Sequence, residues 1–257
     1  MSRLVIGGFA AVLLAIVGGA SSAAPVPKDA GKSDPTPELK VVFDTVGKAV
    51  KDEKWPAEVD EKKLRDTARI VFDRTLKAAE QKERKLPADF DKLTKADVAK
   101  EYKAATLTGG FVVAGDVRIT SAKDSAIFAS GDVQITHARN CVIVAQNVRC
   151  TVVEDCTVIA GEYIRLNGAD KLKDKERCVL VAGQWIRTTT MDGTVCHVLR
   201  PGILPSPDEG KFGGNQPHPA IRTNGAKSVI FLNAKEDTGA NGPQDCTYLP
   251  QKNPIAK

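Results

Sequence analysis

The chain is poor in the residues that most often carry chemistry. In 257 residues there are three histidines (His137, His197 and His218), two tryptophans and two methionines, and aromatics make up 5%. None of the histidines lies in a metal or nucleophile motif, and there is no Cys-x-x-Cys pair, so zinc binding and Cys/His catalysis have no local signature. Asp89-Phe90-Asp91 lacks the glycine and closing glutamate of a calcium loop. Gly213-Gly214-Asn215 does not join a strand to a helix, as a phosphate loop would. Charge of one sign is scarce too. The formal net charge is +5, and lysine is spread rather than clustered, which argues against nucleic acid as a partner. The pattern implies no cofactor and no metal.

What is present begins at the N-terminus. Arg3 precedes an apolar run from Leu4 to Val17, followed by small residues through Ala24. One early charge, an apolar segment and small residues read as a secretory signal peptide over residues 1–23, with no stable membrane span after cleavage. The rival reading is an uncleaved membrane anchor, since Leu4 to Ala24 could just span a bilayer. Export would place the mature protein outside the cytoplasm: secreted, periplasmic or in the outer envelope. Disulfides are permitted there. The six cysteines are Cys141, Cys150, Cys156, Cys178, Cys196 and Cys246.

Residues 24–37 hold four prolines among small and charged residues and read as a flexible linker. Over 38–105 the apolar residues recur at helical spacing: Leu39, Val42, Phe43, Val46 and Val50, then Leu64, Ala68, Val71, Phe72 and Leu76. Thr94 and Asp97 resemble a capping box, which predicts a third helix up to about Ala105. The expectation is an amphipathic helical region of two or three helices.

From Gly109 onward the period changes. Ser125-Ala-Ile-Phe-Ala129, Cys141-Val-Ile-Val-Ala145, Cys156-Thr-Val-Ile-Ala160 and Cys178-Val-Leu-Val-Ala182 align. Each is followed by a turn and a second short strand, as in Val133-Gln-Ile-Thr136 and Ile164-Arg-Leu-Asn167. The basic step is 15 or 16 residues, and longer steps contain insertions. Such strands cannot each bury a face alone, but stacked as coils they form one core. The predicted fold is mainly β: a single-stranded parallel β-solenoid (β-helix) over 106–235, with an N-terminal α-helical segment packed on one face. A loop is inserted at about 200–219, and 236–257 is an irregular tail.

Alternation along the strands assigns faces. The first strand is apolar on both sides, so its outer side needs a cover, and the helices are the candidate. The second strand points polar residues outward. Down the stack these read Arg118, Gln134, Arg149, Arg165, Arg187 and Arg222, beside Thr120, Thr136, Thr151, Asn167, Thr189 and Asn224. The column before holds Asp116, Asp132, Asn147, Tyr163 and Trp185. Arg118, Arg149, Arg165 and Arg187, with Tyr163, Trp185, Thr136 and Thr151, are the candidate ligand-binding residues. Arginine pairs with carboxylate or phosphate in a bidentate way, and aromatic rings offer a stacking surface. The expected partner is an extracellular polysaccharide or cell-wall polymer. The same residues also suit an ordinary solvated strand surface.

Cys141, Cys156, Cys178 and Cys196 read as one repeat position, a ladder in which Cys141–Cys156 and Cys178–Cys196 could form disulfides. Packed buried thiols are the other reading of that column. Cys246 could pin the tail, with Cys150 as the candidate partner.

The runs Ala114-Gly-Asp-Val-Arg-Ile119 and Ser130-Gly-Asp-Val-Gln-Ile135 resemble the short Gly-Asp-Val repeats of bactofilins. That resemblance implies a polymer-forming protein that self-associates through its coil ends. Secreted β-helix proteins of the pectate-lyase type are the second comparison, and no catalytic motif of theirs maps onto this chain. Three functions are therefore expected in turn: a non-enzymatic envelope protein binding a polymer on the Arg/Thr face, a carbohydrate-active enzyme using Asp116 and Asp132, and a self-assembling filament.

Overall fold

The computed structural model describes residues 37–51, 60–81, 85–87, 90–93, 96–170, 178–199, 220–232, 236–238 and 243–249. The expected signal peptide, the linker up to residue 36 and the inserted loop at about 200–219 lie outside these residues. Two helices come first. Helix α1 (Pro37–Lys51) opens on Pro37, whose missing N–H and fixed φ suit a first helical position. Helix α2 (Glu61–Ala78) is capped by Asp60, whose side chain accepts the Lys63 N–H at 2.9 Å. Among the described residues no helix is long and apolar enough to cross a membrane.

The rest is a parallel β-solenoid, as the repeat predicts. The rung at β1 (Ala96–Thr108) pairs in register with β2 (Phe111–Lys123), from Ala96↔Phe111 to Thr108↔Lys123. The step of 15 or 16 residues then continues with Phe111↔Ala126, Ala126↔Val142 and Val142↔Thr157. Where it is described, the corner that precedes the first strand of a rung is marked by a left-handed residue. Gly109, Asp124, Asn140, Asp155, Gly193, Ser228 and Asp245 have φ of 62°, 49°, 51°, 49°, 56°, 53° and 50°. Asx residues, serine and glycine tolerate that backbone. Their N–H groups reach the next rung, as in Asp124 to the Arg139 carbonyl at 3.1 Å and Asn140 to that of Glu154 at 2.9 Å.

Inward residues stack into one apolar column set, including Val112, Ile127, Ile143, Val158 and Leu180. The outer side of the first strand forms a second core with the helices. Phe111, Val113, Phe128, Val142 and Val144 meet Leu39, Val42 and Val46 of α1 and Leu64, Val71 and Phe72 of α2. The helical cover is therefore where the two-sided apolar strand required it.

Two boundaries differ from the sequence reading. The expected third helix up to Ala105 is strand β1, so the solenoid starts at Ala96. Its Ala, Lys and Glu content favours a helix locally, but the finished edge of β2 offers eleven registered partners, and pairing overrides propensity. The expected irregular tail also continues the stack: Glu236–Thr238, Pro243–Gln244 and Thr247–Leu249 pair on earlier rungs.

Candidate functional site

The second strand of each rung builds the predicted face. Lys103, Arg118, Gln134, Arg149, Arg165, Arg187 and Arg222 follow one another in register through the ladder. The alternate positions, such as Val117, Ile119, Val133 and Ile135, are buried and hold the strand down. Beside the Arg column runs an exposed row: Thr120, Thr136, Thr151, Asn167, Thr189 and Asn224. Between the two lies an open groove of about 560 Å³, flanked by Arg118, Arg149, Arg165, Thr136 and Thr151. Rungs about 4.8 Å apart set the repeat of its walls. The candidate residues Arg118, Arg149, Arg165, Thr136 and Thr151 thus converge on one groove. Asn167 and Gln134 also line it.

The Arg side chains are not equivalent. Arg118 sits 3.7 Å from Glu101, which also holds Lys103 at 2.7 Å. The Lys103 hydrogen bond and these two positive charges hold the Glu101 carboxyl below its usual range. Arg149 donates from Nε and Nη2 to the Tyr163 hydroxyl at 3.1 and 2.7 Å, and its guanidinium carbon lies 5.6 Å from that ring's centre. Tyr163 and Trp185 stack with centroids 4.6 Å apart and planes 4° from parallel. These contacts leave Tyr163 only 7% exposed, so it supports the face and does not present a platform. Trp185, half-buried, is the ring that remains partly open. Alternation correctly placed both rings outward, but neighbouring rungs turned them into each other's contact.

Asp116 and Asp132 are on adjacent rungs, as expected. Both carboxylates accept ladder bonds: Asp116 from the Asp132 N–H at 2.8 Å, and Asp132 from the Asn147 side-chain amide at 2.9 Å. They close the turn between strands. Among the described residues no group of three or more His, Cys, Asp or Glu side chains could hold a metal ion.

The cysteine column differs from its sequence reading. Cys141 and Cys156 align, and Cys156 aligns with Cys178, but the next member is Thr194, because Val195 pairs with Val179. Cys196 pairs with Leu180 instead. Two residues along a strand and one rung across amount to about 8 Å, beyond disulfide reach, so the Cys178–Cys196 pairing is overturned. Matching cysteine to cysteine slipped the alignment by two. The left-handed Gly193 before Thr194 was the signal for the true corner. Cys246, not Cys196, ends the column, because Thr247 pairs with Ile230 and that residue with Val195. It is several rungs from Cys150, so that pairing is overturned too.

Cys141, Cys150, Cys156, Cys178 and Cys196 are buried free thiols. The column has a common chemistry. Ser125, Cys141, Cys156, Thr194 and Cys246 each donate to the carbonyl two residues back, at 2.6, 3.1, 3.1, 3.1 and 3.3 Å. Serine, threonine and cysteine all serve at this corner through that donor, while the rung between Thr194 and Cys246 carries the apolar Val229 there. Burial pushes the Cys150 and Cys178 thiols up to about 12 and holds Cys156 and Cys196 well above the ordinary value. Thiols so protonated are poor nucleophiles.

His197 had no sequence signal beyond its identity. It is fully buried on the outer side of the first strand, flanked by Val181 and Leu232 on neighbouring rungs. Neither ring nitrogen has a hydrogen-bond partner. Burial pushes its pKa down to about 4. Comparison with protein-family models, curated proteins and solved structures finds no match for this chain.

Proposed function

We propose that this chain is a non-enzymatic binding protein of the cell envelope or the extracellular space, holding an extended acidic or sugar-bearing polymer along the Arg/Thr groove. The observation that supports it most is the column of basic side chains, interrupted at Gln134, beside an exposed hydroxyl and amide row. Arg149, Arg165 and Arg187 lie on consecutive rungs, one guanidinium about every 4.8 Å. A polymer with repeated carboxylate or phosphate groups can meet such a column with several bidentate contacts at once, each weak alone and additive along the chain. The Thr and Asn row supplies donors and acceptors to sugar hydroxyls, and Trp185 supplies one stacking edge. The buried, hydrogen-bonded corner thiols and the ladder-bound Asp116 and Asp132 favour a binding role over catalysis.

Export is part of this reading and rests on Arg3 and the apolar run that follows it. Mass spectrometry of the secreted, unreduced protein tests it. A mature N-terminus near residue 24 is expected, and the same spectrum tests whether the adjacent Cys141 and Cys156 ever become linked. The binding reading is tested by retention on immobilised polyuronate. Arg149→Ala, Arg165→Ala and Arg187→Ala together should abolish retention at low salt. Retention unchanged by the triple substitution would discard the groove.

A further inference from the structure

A different face of the solenoid carries its own charge pattern. A third strand of each rung, the residues just before the left-handed corner (Ser121–Lys123 in β2), carries Lys123, Arg139, Glu154, Asp170 and Asp192 on successive rungs. Their order follows from the register: Lys123↔Arg139, Arg139↔Glu154 and Glu154↔Asp170, with Ala169↔Met191 setting Asp192 beside Asp170. Thr108 precedes Lys123 in this column; two basic rungs are then followed by three acidic ones, and the next rung brings exposed Lys227 beside Asp192. Asp124, on the basic half, is engaged by Lys123 at 3.7 Å and by the Asn140 amide at 2.7 Å. Among the described residues no ion pair reaches Arg139, Glu154, Asp170 or Asp192. Stacking like charges at rung spacing has a cost. Partial burial and the neighbouring Asp192 and Glu154 push the Asp170 carboxyl up.

We propose that this third-strand face is a self-association surface on which two copies of the chain pack antiparallel. A two-fold axis running along the strand direction, midway between the Arg139 and Glu154 rungs, inverts the column. It sets Arg139 opposite Glu154 of the second copy and Lys123 opposite Asp170, each contact made twice, as an isologous interface requires. Parallel packing of the same faces would set like charge against like, so the pattern selects the antiparallel arrangement. The adjacent outward column is flat enough to allow approach: Ser121 would face Gly168, and His137 would face Val152 of the second copy. The overlap about this axis runs over the six rungs from Thr108 to Asp192, leaves Lys227 beyond its end, and is one short strand wide, a few hundred Å² per copy against the roughly 800 Å² of a standard interface. The pairing is therefore weak, electrostatic and sensitive to salt.

The test is sedimentation equilibrium of the full chain at high protein concentration. The wild type should approach twice the monomer mass in low salt and return to monomer at about 1 M salt, where screening is nearly complete. Arg139→Glu alone, and Glu154→Arg alone, should abolish the dimer, while the double swap restores it, because the inverted pair is again complementary. Circular dichroism confirms that each exposed variant folds. A monomer under all conditions, or a dimer indifferent to the single swaps, overturns the proposal. In the first case the column is neutralised within the chain. Neither outcome bears on the Arg/Thr groove, which lies on another face.

Discussion

The outer sides of the first and second strands belong to the same rungs, share one backbone spacing and are set by the same alternation. One carries Phe111, Val113, Val142 and Val144 and lies under two helices. The other carries Arg and Thr and stands open. A solenoid repeats its side chains as columns, so one choice per rung is multiplied along the stack. An apolar column makes a surface that must be covered, and a polar one makes a surface that can stay in water and bind. The fold is indifferent between the two, and the columns assign the roles.

The sharpest way to break that comparison is to exchange the character of single positions. Val144→Asp puts an unpaired carboxylate between the sheet and α1 or α2, and should cost about 3–5 kcal/mol. Arg165→Asp, on the open face of the adjacent rung, should change stability by less than about 0.5 kcal/mol. Urea unfolding of the two variants measures the contrast, and equal costs would mean that the helices do not seal the first face.

His197 sharpens it from the covered side. In the folded chain its pKa is pushed down to about 4, whereas an unfolded histidine titrates near 6.5. The unfolded state therefore binds the proton first as the pH falls. The full contribution of this residue is present above pH 6.5 and is lost progressively toward pH 4, a difference of about 3 kcal/mol. His197→Leu should remove that dependence. It should also raise stability at pH 7 by about 1–3 kcal/mol, because two buried ring nitrogens without partners disappear. Thermal unfolding from pH 7 to pH 4 reads both effects.

The smallest effect concerns the corner column, where serine, threonine and cysteine already alternate. Cys156→Ser keeps the donor to the Glu154 carbonyl and should cost less than about 1 kcal/mol, while Cys156→Ala loses the donor and leaves a void, and should cost about 2 kcal/mol. Equal losses in denaturant titrations would show that volume alone sets that corner.

Much of this was legible without coordinates. The 15-residue step and the two-residue alternation placed Arg118, Arg149, Arg165 and Arg187 in one column and demanded a cover for the first strand. The misreadings share a cause. Helical propensity at Ala96–Ala105 is a local signal, while the strand it forms depends on the edge of β2. Cys196 was matched by residue type, while its rung position is fixed by the corner at Gly193. Tyr163 was placed on the correct side, yet its burial depends on Trp185 and Arg149, which no single rung contains. His197 looked incidental because nothing in the neighbouring sequence reveals that its nitrogens have no partners.

The sequence by itself determined the repeat and therefore the columns, because period and alternation are properties of consecutive residues. Tertiary structure alone decided where the stack begins and ends, which rings remain open and which column is sealed. Those outcomes depend on residues one rung or one helix away, brought together only when the coils stack and the helices close over them.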